Sequence, residues 1–187
     1  TIGQAVARLL SKNHDVLHAS RSGEIRVDMT DPQSIISMYK ENTDLDAVVS
    51  AAGTGKFGPL DQISDEDFDN SLKSKLMGQI NLVRYGREYL NERGSFTLNS
   101  GILAHQQGSA SVVISILNAG IEAFIYSASQ DMPNGQRLNG VCPPMVRETG
   151  IKMGWGQGGM PADEVAVYYA ESVEGSFNGK MFGPLHK

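Results

Sequence analysis

Ser100 is the residue of this sequence best placed to touch a reacting oxygen. It closes the hydrophobic run Phe96-Thr97-Leu98-Asn99, so a buried strand would deliver its hydroxyl to the edge of a sheet. Such a hydroxyl hydrogen-bonds a carbonyl or alcohol oxygen, but completing a reduction needs a proton source tuned near neutral pH. Histidine is a common source of that kind, but His105 stands in the polar loop His105-Gln106-Gln107-Gly108, where a histidine is ordinarily solvated. Cys142 is the single cysteine and lies in an apolar run, which reads as a buried structural thiol rather than a nucleophile. One cysteine excludes an internal disulfide and a multi-cysteine zinc site, and no metal site is expected. Gly53-Thr54-Gly55-Lys56 imitates a phosphate loop, but Ser50 and Phe57 fail two fixed positions of that motif, so a P-loop NTPase is not expected.

The bulk properties narrow the setting. The 187 residues suit one well-buried domain, here taken as 1–187, with 40% hydrophobic and 20% charged residues as in ordinary globular proteins. A net charge of −5 argues against a general nucleic-acid binder, which would carry a basic stripe. No run approaches about eighteen apolar residues, so no membrane span is expected. These features together suit a reducing cytoplasm.

Strands and helices alternate along the chain. Ile2, Val6, Leu9 and Leu10 recur at helical spacing from the first residues. Short strands are expected at 16–19 and 25–27, followed by a helix from Asp31-Pro32 to about Glu41 with Asp31 as N-cap and Pro32 at the first helical position. A buried strand spans 45–52 and ends at Gly53. Ser64-Asp65-Glu66-Asp67 reads as a capping box for a helix that carries Leu72, Leu76, Ile80 and Val83 on one side to about Asn91. Strands follow at 95–99, 137–142 and 180–182, with helices at 111–130 and 161–173 and a glycine- and methionine-rich loop at 150–160. This alternation implies an α/β fold, a Rossmann-like doubly wound parallel sheet with helices on both faces, whose ligands sit beyond the carboxyl ends of the strands. Ser20-Arg21, Asp28, Ala51-Ala52-Gly53, Ser100 and Pro143-Pro144 all fall at such ends.

Several of these segments resemble motifs of the short-chain dehydrogenase/reductase family, over nearly the whole chain from Thr1 to about Phe182. Thr1-Ile2-Gly3 is similar to the end of the family's glycine-rich turn. Because a helix opens the chain with no strand before it, about ten to twelve residues are expected to precede Thr1. Asp28-Met29-Thr30-Asp31 resembles the segment that contacts adenine, although Asp28 equally suits a turn, and Ala52-Gly53 match the end of the family's N-N-A-G. Val141-Cys142-Pro143-Pro144-Met145-Val146 resembles the segment that cradles nicotinamide, with Pro144 in place of glycine, and the 150–160 loop occupies the place of the substrate lid. The resemblance therefore implies a dinucleotide held by Ile2, Gly3, Ser20, Arg21, Asp28, Met29, Ala51, Ala52, Gly53 and Val146. An acid at Ser20-Arg21 would bind a ribose hydroxyl and an arginine accommodates a 2′-phosphate, so NADP(H) is favoured over NAD(H).

For catalysis the resemblance contradicts itself. Ser100 matches the family's serine, while Ile114 and Asn118 stand where the tyrosine and lysine belong, and no Tyr-x-x-x-Lys occurs anywhere in the chain. Lys75, in Lys75-Leu76-Met77-Gly78, replaces an asparagine of the family's relay; it either supplies the missing charge near Ser100 or is a surface lysine paired with an acid. Two functions follow: an NADP(H)-dependent oxidoreductase acting on a small carbonyl or alcohol through Ser100 and Lys75, or a non-catalytic NADP(H)-binding sensor or interaction protein. The resemblance also implies a homo-oligomer formed through helices 64–91 and 111–130, with Val112, Val113, Ile116 and Phe124 as contacts unless they are core.

Overall fold

The computed structural model describes residues 1–186. Helix α1 (Ile2–Leu10) precedes the two-residue strands β1 (Ala19–Ser20) and β2 (Ile25–Arg26), helix α2 (Pro32–Glu41) and strand β3 (Leu45–Val49). Helix α3 (Asp65–Ser71) runs through a π-helical turn (Leu72–Met77) into α4 (Gly78–Gly86), then β4 (Leu90–Asn99). Helix α5 (Val112–Ala128), β5 (Arg137–Val141), α6 (Arg147–Lys152), α7 (Ala162–Glu174) and β6 (Met181–Phe182) complete the order. All strand pairs are parallel, in one four-stranded sheet ordered β3-β4-β5-β6 and a separate β1-β2 pair.

Period-two alternation along β4 sends its side chains to two different cores. Phe96 and Leu98 pack with Val83 of α4, Ile121 and Ile125 of α5, and Leu138 of β5. On the opposite face, Thr97 Oγ1 lies 2.7 Å from Ser172 Oγ and the Tyr169 hydroxyl donates to Asn99 Oδ1 at 2.7 Å, so α7 is fastened by polar contacts within an otherwise apolar layer. That layer joins α1 to α7 through Ala5, Val6, Val165 and Tyr169. Helices therefore cover both faces of the parallel sheet, as the alternation requires.

Local chemistry explains the helix starts. Asp31 caps α2 by accepting from the Gln33 backbone at 2.9 Å, with Pro32 in the first turn. Ser64 and Asp67 complete a reciprocal capping box on α3, with three acids in its positive first turn. Other boundaries shift from expectation. The first strand is 19–20 rather than 16–19, and β3 is only half-buried and stops at Val49. The helix expected to reach Asn91 stops at Gly86, whose bare Cα lies against the Tyr39 ring, and the chain resumes as strand four residues later, where Leu90 pairs with Leu45. The 150–160 segment is not loop throughout: α6 occupies its first residues, and Met160 bridges back to Val146.

Contrary to the expectation of no membrane span, residues Val112–Asp131 are long and apolar enough to cross a membrane by length and composition. Packing accounts for much of that apolarity: Val113, Leu117, Ile121 and Ile125 are buried, and the same helix buries Asn118 and Glu122.

Candidate active site

Register places the strand ends on one rim. Val49 of β3 lies opposite Thr97, Asn99 lies opposite Val141, and the Ser100 N–H donates to Val141 O. Ala51–Gly53, Ser100 and Cys142–Pro143 therefore emerge along the same carboxyl edge. Gly3 at the start of α1 also reaches this rim, since a Cβ on it would sit 3.8 Å from that of Ala51.

Lys75 occupies the π-helical turn, and its side chain points inward: the residue is only 7% exposed and its Nζ donates to Asn99 O at 3.1 Å. It makes no salt bridge among the described residues, so the surface ion-pair reading fails. Burial without a counter-charge disfavours the ammonium and brings its pKa down to about 8. Two neighbours fix the lysine. Gln79 grips Asn99 from both sides, its Nε2 donating to Asn99 O at 3.0 Å and its Oε1 accepting from Asn99 N at 2.7 Å. Gly53, at φ +107°, lies so close that a Cβ would come within 2.8 Å of the Lys75 Cα.

Ser100 is also buried, and its proton is committed. Its hydroxyl donates to Glu122 Oε1 at 2.6 Å, with Asn118 O at 3.2 Å. His105 Nε2 approaches the other oxygen of Glu122 at 2.7 Å, so the histidine expected to be solvated is paired with a buried carboxylate. Ile114 and Asn118 lie two turns and one turn before Glu122 on the same helix. Ile114 is packed against Gly55, and Asn118 Nδ2 donates to Gly101 O at 3.2 Å. Neither position supplies an acid or a positive charge. Gln79 and Glu122 were missed in the sequence, although each left a signal: Gln79 is one turn beyond Lys75, and Glu122 is one turn beyond Asn118 on an otherwise apolar helix.

The cofactor-side residues are of a different kind. Gly3, Ser20, Arg21, Ala52 and Gly53 are exposed, and Ile2, Met29 and Ala51 are half-buried. Thr1 provides no side-chain cap for α1, which leaves its first N–H groups available to an anion. Asp28 is a turn residue in this structure: its Oδ1 accepts from the Thr30 backbone and hydroxyl at 2.9 and 2.7 Å, which with Arg21 holds its carboxyl below the usual range. Met29 lies against Gly78 at the start of α4. Val146 is buried in the α1–α7 core, so only its backbone is available to a ligand. Above the rim, Trp155 meets Phe57 edge to face at 5.1 Å between centroids, joining the 150–160 segment to the loop after β3.

No metal site was expected, yet His105, Glu122, Cys142 and His186 gather with their ligand atoms within 4.8 Å of one another. Burial and the neighbouring Glu122 push the Cys142 thiol up to about 12.

A family model described as enoyl-(acyl carrier protein) reductase matches residues 2–165. Among solved structures, the protein lin1944 from Listeria innocua superposes with a TM-score of 0.93 at 36% identity, covering 98% of this chain and 94% of that one. A small-chain dehydrogenase in complex with NADPH shares the fold, with a TM-score of 0.87 at 20% identity over 97% of this chain and 90% of its own. The hydroxynaphthalene reductase-like protein Arp2 of Metarhizium guizhouense is 25% identical over 158 residues, 78% of this chain and 59% of that protein, so the chain spans well under two thirds of this relative. With a family match across most of its length, and a parallel sheet that gathers its small and polar residues at one carboxyl rim, this chain is a divergent member of the short-chain dehydrogenase/reductase family.

Proposed function

We propose that the protein is an NADP(H)-dependent oxidoreductase that interconverts a small carbonyl compound and its alcohol, with Lys75 as the proton donor. The observation that carries this reading is Lys75 itself: buried, without a counter-charge, hydrogen-bonded beside Ser100, with its pKa at about 8. An ammonium of that acidity keeps its proton at neutral pH and can release it to an oxygen that gains charge.

The rim fits a dinucleotide. The uncapped start of α1 suits a pyrophosphate, and the small residues Ala51–Gly53 let a ring lie against backbone. Arg21 is exposed and free of a salt-bridging acid among the described residues, which suits a 2′-phosphate. NADPH, when bound, supplies the hydride. The NADPH complex of a relative with this fold supports the same cofactor.

The chain's own residues then divide the remaining work. Lys75 holds the proton, and Gln79 positions it by clamping Asn99, to which the Nζ is bonded. The Ser100 hydroxyl donates its hydrogen bond to Glu122, which leaves its oxygen lone pairs to accept from the hydroxyl of an alcohol substrate. Phe57 and Trp155 exclude water and favour a substrate with an apolar or aromatic body. The name of the hydroxynaphthalene reductase-like relative supports that preference.

The test is calorimetric titration of NADPH and, in parallel, NADH into the full-length protein, followed by NADPH oxidation with a panel of aromatic and aliphatic carbonyls. Tighter binding of NADPH with turnover that collapses in Lys75→Met supports the proposal. NADPH binding without turnover would favour the non-catalytic sensor. Binding of neither cofactor would overturn both readings.

A further inference from the structure

We propose that His105, Glu122, Cys142 and His186 form a binding site for a transition-metal ion, with Zn²⁺ as the ion that fits them best. The four residues come from four separate places: the loop after β4, the buried face of α5, the residue that follows β5, and the turn after β6. Their ligand atoms lie within 4.8 Å of one another. Zinc bonds of about 2.0–2.3 Å would hold tetrahedral ligands roughly 3.3–3.8 Å apart, so the set needs to close by about an ångström. The placement allows this, because Glu122 and Cys142 are buried on the rigid helix and sheet while His105 and His186 stand on loop and turn segments.

A second observation points into the same cluster. His186 Nε2 is buried with no hydrogen-bond partner, and its ring meets that of His105 edge to face at 5.1 Å. A buried polar atom without a partner is costly, and a metal–nitrogen bond removes that cost. The charge also balances: a divalent ion with one thiolate, one carboxylate and two neutral imidazoles is neutral overall, which suits a site whose Glu122 and Cys142 are buried. The mixed sulfur, nitrogen and oxygen set excludes Mg²⁺ and Ca²⁺, which take oxygen ligands. Four protein ligands complete a closed, structural site. Ser100 already donates to the other oxygen of Glu122, so it serves as an outer partner that orients the carboxylate. The ion would tie the turn after β6 to the rim beside Ser100.

The test is titration of the chelator-treated full-length protein with Co²⁺ and Zn²⁺. The expected result is one ion per chain. Co²⁺ should give the intense visible bands of tetrahedral coordination and a thiolate-to-cobalt charge-transfer band in the near ultraviolet. Cys142→Ser should abolish the charge-transfer band, and His186→Ala, at the periphery and harmless to folding, should weaken binding by about 100-fold or more, beyond the 10–100-fold typical of outer partners. Absence of Co²⁺ binding in the unmodified protein would overturn the site. So would pale octahedral spectra, or spectra unchanged in Cys142→Ser and His186→Ala.

Discussion

The two ends of the rim are built on opposite physical terms. On the side proposed for the cofactor, Gly3, Ser20, Arg21, Ala52 and Gly53 are small or polar and exposed. On the proton-handling side, Lys75, Gln79, Ser100 and Glu122 are buried, and each is held by hydrogen bonds to the sheet end or to one another. Residues of the first kind contribute to binding at little expense to the fold. Residues of the second kind are coupled to stability, and Lys75 is coupled with an adverse sign: the fold hides its charge without a counter-ion. The proton transfer proposed for Lys75 would account for a destabilising lysine kept at this rim.

Lys75→Met should produce the largest separation between the two ends. Turnover in the proposed reaction should fall by about 10²–10⁴-fold, as for loss of a positioned general acid. Stability should move the other way. The native pKa of about 8 lies below the ordinary 10.5, so between those pH values the unfolded chain binds a proton that the native one does not, and wild-type stability rises with pH across that window. Below about pH 8 both states are protonated and the full penalty, about 3 kcal/mol, is in force. At pH 7 the methionine variant should therefore be the more stable protein, with the pH-dependent rise between 8 and 10.5 removed. Urea denaturation at several pH values checks this, and a destabilised, fully active variant would contradict it.

Gly53→Ala should come next, because it touches both ends. The residue has φ +107°, and its new Cβ would press on the Lys75 backbone, so a loss of about 1–3 kcal/mol is expected together with reduced turnover. Thermal unfolding and initial rates on one preparation report both effects.

Arg21→Ala should affect only the open end. Removing one charge-assisted contact of about 1.5–3 kcal/mol should weaken NADPH binding by about 10–100-fold and leave NADH binding unchanged. Its thermal midpoint should stay near that of the wild type, since Arg21 makes no salt bridge among the described residues. Equal losses for both cofactors would remove Arg21 from the 2′-phosphate role.

Ser64→Ala provides a baseline outside both sets of residues. It breaks the capping box of α3 and should cost about 1 kcal/mol with no change in cofactor preference. The oligomeric state completes the series. Val113 is core, whereas Ile116 is 44% exposed on α5, so Ile116→Glu should lower the sedimenting mass if that helix joins two copies.

Much of the scaffold was legible in the residues themselves. Asp31-Pro32 and the Ser64–Asp67 box announce helices because their side chains bond backbone only a few positions away. The second half of β4, and β5, stand out because short runs carrying Phe96 and Leu98 or Leu138 and Val141 are bounded by Gly94 and Pro143, while the first half of β4 was read as helix. The close approach of α4 to α2 was not legible, because it sets Gly86 against Tyr39, more than forty positions earlier in the chain. The π-helical turn was equally hidden: nothing in Leu72–Met77 departs from ordinary helical composition, yet this turn places Lys75 where its charge is buried.

By itself the sequence determined the alternation of parallel strands and helices, the gathering of Ser100 and Gly53 at strand ends, and the absence of any Tyr-x-x-x-Lys pair. These follow from periodicity, capping and residue type, which are local properties. Only the tertiary structure decided that Lys75 is buried without a counter-charge, that the Ser100 hydroxyl donates to Glu122, and that His105, Glu122, Cys142 and His186 meet. Each depends on register between strands and on the rotation of a helix about its axis, where a shift of one residue would turn the same side chain to solvent.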